Sequence, residues 1–442
     1  MKLLIKNGRV IDPRNGIDDF FDVLVERGRI TGIAPQLESE NTVVIDVSNK
    51  VVTPGLIDMH VHFRQPGLHE HKETIRTGSH AAAKGGFTTV VCEPNTIPPI
   101  DDSGYRVKYM LDIAKNEGLV HIYTKACMTK GMEGKKLVDV KKVVEQGAVA
   151  ITDDGFPVND IDLIVAAAKD AKKYGILMCP HCEESRPQNK RREAFTFEYY
   201  GSEAKYIHQY IIHGVKDTLC PCHFPHVSLK ESIARIKQAK EDGLPVTAEA
   251  TPHHFTLTEQ DARRIGPNAR VNPPLRTAED VEAIKQALKN GIIDVIATDH
   301  APHTPEEKMS ENPPFGIIGL ETALGVVLTS LVEPGVLSLY SAIEKMTANP
   351  SKILNLRRGQ LSVGMPADIT VIDLNKEWVV DVNEFESKGR NCPFDGWKLK
   401  GKAVMTIVSG KVVMSEGEIF DPPAEDLYQW QPGLRNQLKL PI

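Results

Sequence analysis

Three consecutive runs decide how this chain is read: GAVAITDD at 147–154, NDIDLIVAAAKDAKKY at 159–174 and GILMCPHCE at 175–183. The outer two are short and apolar, as buried strands are. The middle one repeats its apolar residues three and four apart and stops at Gly175, as an amphipathic helix does. Together they make one strand–helix–strand unit, and the texture continues in both directions. Strand-like runs fall at 53–63, 87–95, 120–128, 147–154, 175–183, 218–228, 245–254 and 294–303, with further helical segments at 229–242 and 278–290. Eight such alternations over about 250 residues predict an α/β fold of the (β/α)8 TIM-barrel type.

Outside that span the texture changes. Residues 1–52 (KLLIKNGRVID, FDVLVERGRITGI, NTVVIDV) and 360–420 (ADITVIDL, AVMTIVSGKVVMSEGEIF) are short alternating runs with Asn-Gly and Arg-Gly turns. Both read as antiparallel β-structure. The economical arrangement is a small β-sandwich built from both termini (1–52 and 360–442), with the barrel at 53–359 between its halves. The Pro-rich tail at 421–442 reads as irregular, packed on the surface or on a neighbouring subunit.

Composition narrows the function. With 442 residues, 41% hydrophobic and 25% charged, the chain has ample apolar material for a large core. The 59 acids and 53 bases are spread along the chain for a net charge of −6, so no basic stripe recommends nucleic acid or an anionic membrane. A small-molecule substrate fits better. Charges at Lys2, Lys6, Arg9 and Asp12 leave no apolar segment for a signal peptide. No apolar run approaches the roughly 20 residues that span a bilayer. Seven cysteines without a secretion signal point to free thiols in a reducing cytoplasm. Cys179-x-x-Cys182 and Cys220-x-Cys222 fall in or beside buried strands, and read as core residues in preference to a structural zinc site.

The polar residues collect where barrel strands end, which is where such folds build active sites. On the first strand His60 and His62 share a face, and Arg64 follows on it. The fourth strand ends at Asp153, the fifth at His181, the sixth at His226 and the eighth at Asp299. Four imidazoles and two carboxylates exceed the needs of one zinc ion, which takes about three protein ligands and keeps a position open. They suit two ions. His60, His62 and Asp299 would hold one, and His181 with His226 the other. By strand alternation Asp153 faces inward as the bridging carboxylate, and Asp154 turns to the opposite side.

At this point the chain resembles a known family. PGLIDMHVHFRQPG, AAAKGGFTTVVCEPNT, ITDDGFPV, TAEATPHH, RVNPPLR, DVIATDHAPHT, FGIIGLE, SVGMPADITVIDL and NCPFDGWKLKGKAVMTIVSGKVV are similar to the cyclic amidohydrolases, and among them to the bacterial class I dihydroorotases. The resemblance covers nearly the whole chain. The DDG stretch discriminates best. Hydantoinases, dihydropyrimidinases and allantoinases typically carry a carboxylated lysine on the fourth strand, whereas residues 147–158 contain no lysine.

The resemblance implies reversible hydrolysis of (S)-dihydroorotate to N-carbamoyl-L-aspartate in pyrimidine biosynthesis, with two zinc ions bridged by Asp153 and hydroxide. Asp299 would be the catalytic acid-base group as well as a ligand. Arg64, Asn95 and His303 match the family's carboxylate clamp, with His62 also near the substrate. Asn272 and the Phe315-Gly316 backbone match the residues that contact the pyrimidine ring. For Asn272 a turn role before Pro273 is an equal reading. The chain departs from the pattern at Glu93, where relatives usually show Met, at HVSLKES in place of HVST, and over 186–217, which matches only loosely. His223 competes with His226 as the sixth-strand ligand, and the motif favours His226, directly before Val-Ser. Two other readings stay open: an allantoinase or hydantoinase, and a non-catalytic scaffold of the same fold. A homodimer and a complex with aspartate transcarbamoylase are associations that the resemblance raises.

Overall fold

The computed structural model describes residues 2–183 and 202–424. The first half of the loosely matching 186–217 segment, up to residue 201, and the tail beyond 424 lie outside the described residues. At the centre, eight parallel strand positions close into a barrel: Leu56–Val61, Phe87–Cys92, His121–Thr124 with Ala126–Cys127, Ala150–Thr152, Leu177–Met178, Cys222–Phe224, Val246–Ala250 and Val295–Ile296. Parallel registers link each neighbouring pair, and the ring closes where Val61 bridges His300. His62 N–H donates to His300 O at 2.8 Å across that seam.

Helices pack around the ring for the reason the sequence gives them an apolar stripe. The helix Ile161–Tyr174 buries Ile164, Ala167, Ala168 and Ala171, starts on an Asp160 cap, and stops at Gly175 in the left-handed region at φ 67°. Lys230–Glu241 and Ala278–Lys289 bury an apolar stripe in the same way, the second starting on a Thr277/Asp280 capping box. The barrel strands are shorter than the apolar runs that announce them: 294–303 yields Val295–Ile296, and 175–183 yields Leu177–Met178. The remainder of each run leaves the ladder early and forms the mouth.

Strands from both ends of the chain join one nine-stranded sheet, in which Val51–Pro54 pairs antiparallel with Ile369–Val379 and parallel with Lys2–Asp12. This sheet has its own core, including Leu3, Ile5, Val23, Ile45, Ile369 and Ile407. Its far parts are tied together where Ile30 N–H donates to Met365 O and Gly410 N–H to Ala367 O. The 53–63 run therefore splits. Val51–Pro54 belongs to the terminal sheet and Leu56–Val61 to the barrel, with Gly55 between them, where any Cβ would overlap the Thr88 side chain. The seven cysteines are buried free thiols. Among the described residues no helix is long and apolar enough to cross a membrane.

Candidate metal centre

The mouth of the barrel gathers His60, His62, His181, His226, Asp154 and Asp299. Two three-residue groups have their ligand atoms within 4.8 Å of one another, His60/His62/Asp299 and His60/Asp154/His226. Asp299 Oδ1 lies 2.9 Å from His62 Nε2 and 3.5 Å from His60 Nε2. His181 Nδ1 faces His226 Nε2 at 3.1 Å. Asp154 spans the two groups: its Oδ1 lies 3.4 Å from His181 Nδ1 and 3.6 Å from His226 Nε2, and its Oδ2 lies 3.7 Å from His62 Nε2.

Asp154, and not Asp153 as alternation predicts, is therefore the fourth-strand carboxylate that stands between the two groups. The fourth strand ends at Thr152 and the chain turns at once, with Phe156 N–H donating to Asp153 O at 2.9 Å, so inward–outward alternation stops one residue too early to place Asp153. The Asp153 side chain instead fixes the loop after the third strand. It accepts Met128 N–H at 2.8 Å and Thr129 N–H at 3.0 Å, and also the Thr129 hydroxyl. Burial pushes the Asp153 carboxyl up to about 6. Burial also opposes ionisation of Asp154, but His181 and His226, with the further imidazoles of His60 and His62, outweigh it and hold that carboxyl well below the ordinary range.

Supports hold the imidazoles. Glu249 on the seventh strand places Oε1 2.6 Å from His60 Nδ1 and Oε2 3.1 Å from His223 Nε2. That turns His60 Nε2 toward the cluster. It also occupies His223, whose other nitrogen lies 2.8 Å from Thr247 Oγ1, so His223 is outside the cluster and His226 inside it. Asp58, whose carboxyl burial pushes up to about 7, accepts the N–H groups of His60 and Thr298 and so ties the first strand to the eighth beside Asp299. Neither Glu249 nor Asp58 is singled out by the sequence reading. The available signal was a carboxylate in the middle of an otherwise apolar strand, which is costly unless partnered.

The cluster fits a divalent cation. His60 Nε2 and Asp154 Oδ1 are buried with no hydrogen-bond partner among the described residues, although both face the other donors. Buried polar atoms are normally satisfied, and imidazole nitrogens with carboxylate oxygens are the donors that zinc and its neighbours take.

Of the residues expected to meet substrate, Arg64, His303, Phe315 and Gly316 come together. Arg64 Nη2 lies 3.3 Å from His303 Nε2, which lies 2.9 Å from Phe315 O, and Arg64 Nε donates to Pro302 O at 3.3 Å. Gly316 has φ 130°, and a Cβ there would come within 2.8 Å of Ala301 O. Two side chains brace this loop. Lys308 Nζ donates to Pro314 O at 3.0 Å and Gly316 O at 2.9 Å. Asn391 Nδ2 donates to Ala301 O and Gly316 O, and its Oδ1 accepts His303 N–H. Asn95 and Asn272 stand against the imidazoles. Asn95 Oδ1 lies 2.9 Å from His62 Nδ1 and its Nδ2 donates to Asp154 Oδ2, while Asn272 Nδ2 lies 3.2 Å from His181 Nε2.

Comparison with known proteins agrees with this architecture. Residues 51–413 match the amidohydrolase family. The chain is 45% identical to a dihydroorotase of Geobacter metallireducens, over 93% of this chain and 99% of that protein. It is 42% identical to a dihydroorotase of Caldanaerobacter subterraneus, over 95% and 99%. Among solved structures, the L-hydantoinase (dihydropyrimidinase) from Arthrobacter aurescens superposes with a TM-score of 0.85 at 27% identity, covering 95% of this chain and 97% of that one.

Proposed function

The chain belongs to the amidohydrolase family, and from that premise we propose that it is a dihydroorotase, interconverting (S)-dihydroorotate and N-carbamoyl-L-aspartate in pyrimidine biosynthesis in the cytoplasm. The observation that carries the chemistry is Asp154, one carboxylate reaching both imidazole groups at the barrel mouth. Two zinc ions are the cofactors that this donor set suits, the first with His60, His62 and Asp299, the second with His181 and His226, and Asp154 between them. When bound, such ions activate water near neutral pH and polarise a carbonyl oxygen.

The chain's own residues do the rest. Asp299 Oδ1, held beside His62, is placed to take the proton of the attacking water and deliver it to the departing ring nitrogen. Arg64 offers a planar fork for the substrate carboxylate, with His303 beside it. The Phe315-Gly316 backbone, fixed by Lys308 and Asn391, and Asn272 supply polar contacts for the cyclic amide edge. Asn95 has two roles open to it, holding His62 with Asp154 and reaching the substrate carboxylate. The division we propose gives the chemistry to the barrel at 53–359 and leaves the terminal segments as its brace.

The test is turnover of the purified, metal-loaded protein with dihydroorotate, carbamoyl aspartate, hydantoin and allantoin side by side. Turnover of the first two is expected. Activity confined to hydantoin or allantoin would overturn the assignment.

A further inference from the structure

Directly after the second barrel strand, Glu93 departs from the family pattern, and its partner shows a purpose for that. The Glu93 carboxylate is ion-paired with Lys125, and the two residues are 3% and 1% exposed. Both are locked into the barrel by backbone bonds: Glu93 N–H donates to Val61 O at 2.8 Å and Lys125 N–H to Cys92 O at 2.9 Å. A pair this deep is expensive to desolvate, and two apolar side chains of similar volume would serve packing at least as well. Packing alone therefore gives no reason for it.

Its position does. Three carboxylate oxygens surround His60 Nε2 at nearly one distance: Asp299 Oδ1 at 3.5 Å, Glu93 Oε1 at 3.6 Å and Asp154 Oδ1 at 3.7 Å. Glu93 belongs to neither three-residue ligand group, so a cation held at His60 would feel it through its charge. The oxygen that faces His60 is the same one that receives the Lys125 ammonium. The other oxygen, Oε2, is buried with no hydrogen-bond partner among the described residues. On the opposite edge of the imidazole, Glu249 engages Nδ1. In a water-poor interior a full charge this close acts with little screening.

We propose that the buried Glu93–Lys125 pair sets the divalent-cation affinity of the His60 site, Glu93 as a positioning carboxylate that attracts the ion and Lys125 as the counter-charge that limits the attraction. This rests on reading the histidine–aspartate cluster as a cation site.

The two halves of the pair must then act in opposite directions, which a purely structural pair would not do. The experiment strips the full-length protein of metal and titrates Zn²⁺ against a chromophoric chelator in the wild type, Glu93→Gln, Lys125→Met and the double variant E93M/K125M, with thermal unfolding recorded with and without Zn²⁺. Glu93→Gln leaves an ammonium near the ion, and its affinity is expected to fall by roughly 10- to 100-fold, the range seen when groups supporting metal ligands are removed. Lys125→Met leaves the carboxylate unopposed: affinity is expected to rise, the metal-free protein to melt earlier, and the gap between metal-free and loaded melting temperatures to widen. The double variant is expected between wild type and Glu93→Gln. If either single variant fails to fold, the double variant, which carries no buried charge at these positions, decides the matter.

Single variants that shift affinity in the same direction would overturn the proposal, as would a double variant that binds Zn²⁺ like the wild type. A wild-type chain that takes up no Zn²⁺ would instead remove the cation-site reading on which the proposal rests.

Discussion

The terminal sheet and the mouth of the barrel obey different rules. In the sheet, left-handed backbone falls at Asn7, Asn41 and Asn49 and, each time just before a glycine, at Arg27, Ser409 and Glu416 in the turns between paired strands, where such a conformation reverses the chain; the paired strands keep their apolar residues on the core side. At the mouth it falls on Arg64, His226 and Asp299, at φ 60°, 36° and 52°. Such conformations cost of order 1–3 kcal/mol each and persist only where their surroundings enforce them. The sheet has only to be stable. The mouth also aims side chains at a common point: its left-handed residues carry the side chains being aimed, and it holds the unsatisfied nitrogen and oxygen atoms that such aiming leaves.

Substitutions can sharpen that contrast. The largest effect is expected at the mouth. Asp299→Ala should lower kcat/KM by roughly 10²- to 10⁴-fold, the usual worth of a positioned acid-base group, and Asp154→Ala should in addition abolish tight Zn²⁺ binding, both with little change in the metal-free melting temperature. An Asp154→Ala protein that still binds two ions would break the bridging assignment. Next comes Glu249→Gln, which loosens the hold on His60 Nδ1 and should weaken metal affinity by roughly 10- to 100-fold in chelator competition.

A smaller effect is expected at Lys308. Replacement by Met removes both donors to the 314–316 loop, and should raise KM for dihydroorotate more than it lowers kcat. The same residue gives a pH signature. Burial, with Arg270 adding to it, lowers the Lys308 pKa from 10.5 to about 7. The unfolded chain then binds more protons than the folded one between these values, so the lysine's contribution to stability is least favourable below about pH 7 and improves as pH rises toward 10.5. Denaturant titrations should show wild type gaining on Lys308→Met across that window, and parallel pH profiles would count against it.

The smallest effect on turnover is expected where stability suffers. Leu3→Ala in the terminal core should cost about 2–5 kcal/mol. Asp153→Ala, which orphans the Met128 and Thr129 N–H groups, should cost about 1–3 kcal/mol. Both should keep kcat once folded, and a collapse of kcat in Asp153→Ala would restore that residue to the centre.

The sequence is most legible where periodicity rules. The helix at 159–174 appears as Ile161–Tyr174, and the barrel and terminal sheet follow from apolar spacing. The gathering of the strand-end histidines and Asp299 at one mouth was also readable, because so many polar residues at the ends of buried strands are hard to explain otherwise. The exchange of Asp153 for Asp154 was not readable by alternation, since the strand stops at Thr152 and the next side chain is aimed by a turn. Asn95 and Asn272 show the same limit. The family resemblance brings them to the mouth, but which atom each meets is decided by imidazoles from other strands. Glu249 and Lys125 were missed because a charge in an apolar run signals only that a partner exists, and that partner is distant in the chain.

One side chain reaches from the closing part of the chain into the business end of the barrel. Asn391 stitches His303, Ala301 and Gly316 together, yet follows the last barrel strand by some ninety residues. An excised barrel that stops before it would lose the clasp over its own pocket. Anyone trading modules between relatives would have to move residue 391 with the pocket it fastens, because the seam for recombination runs behind that asparagine and not at the edge of the barrel.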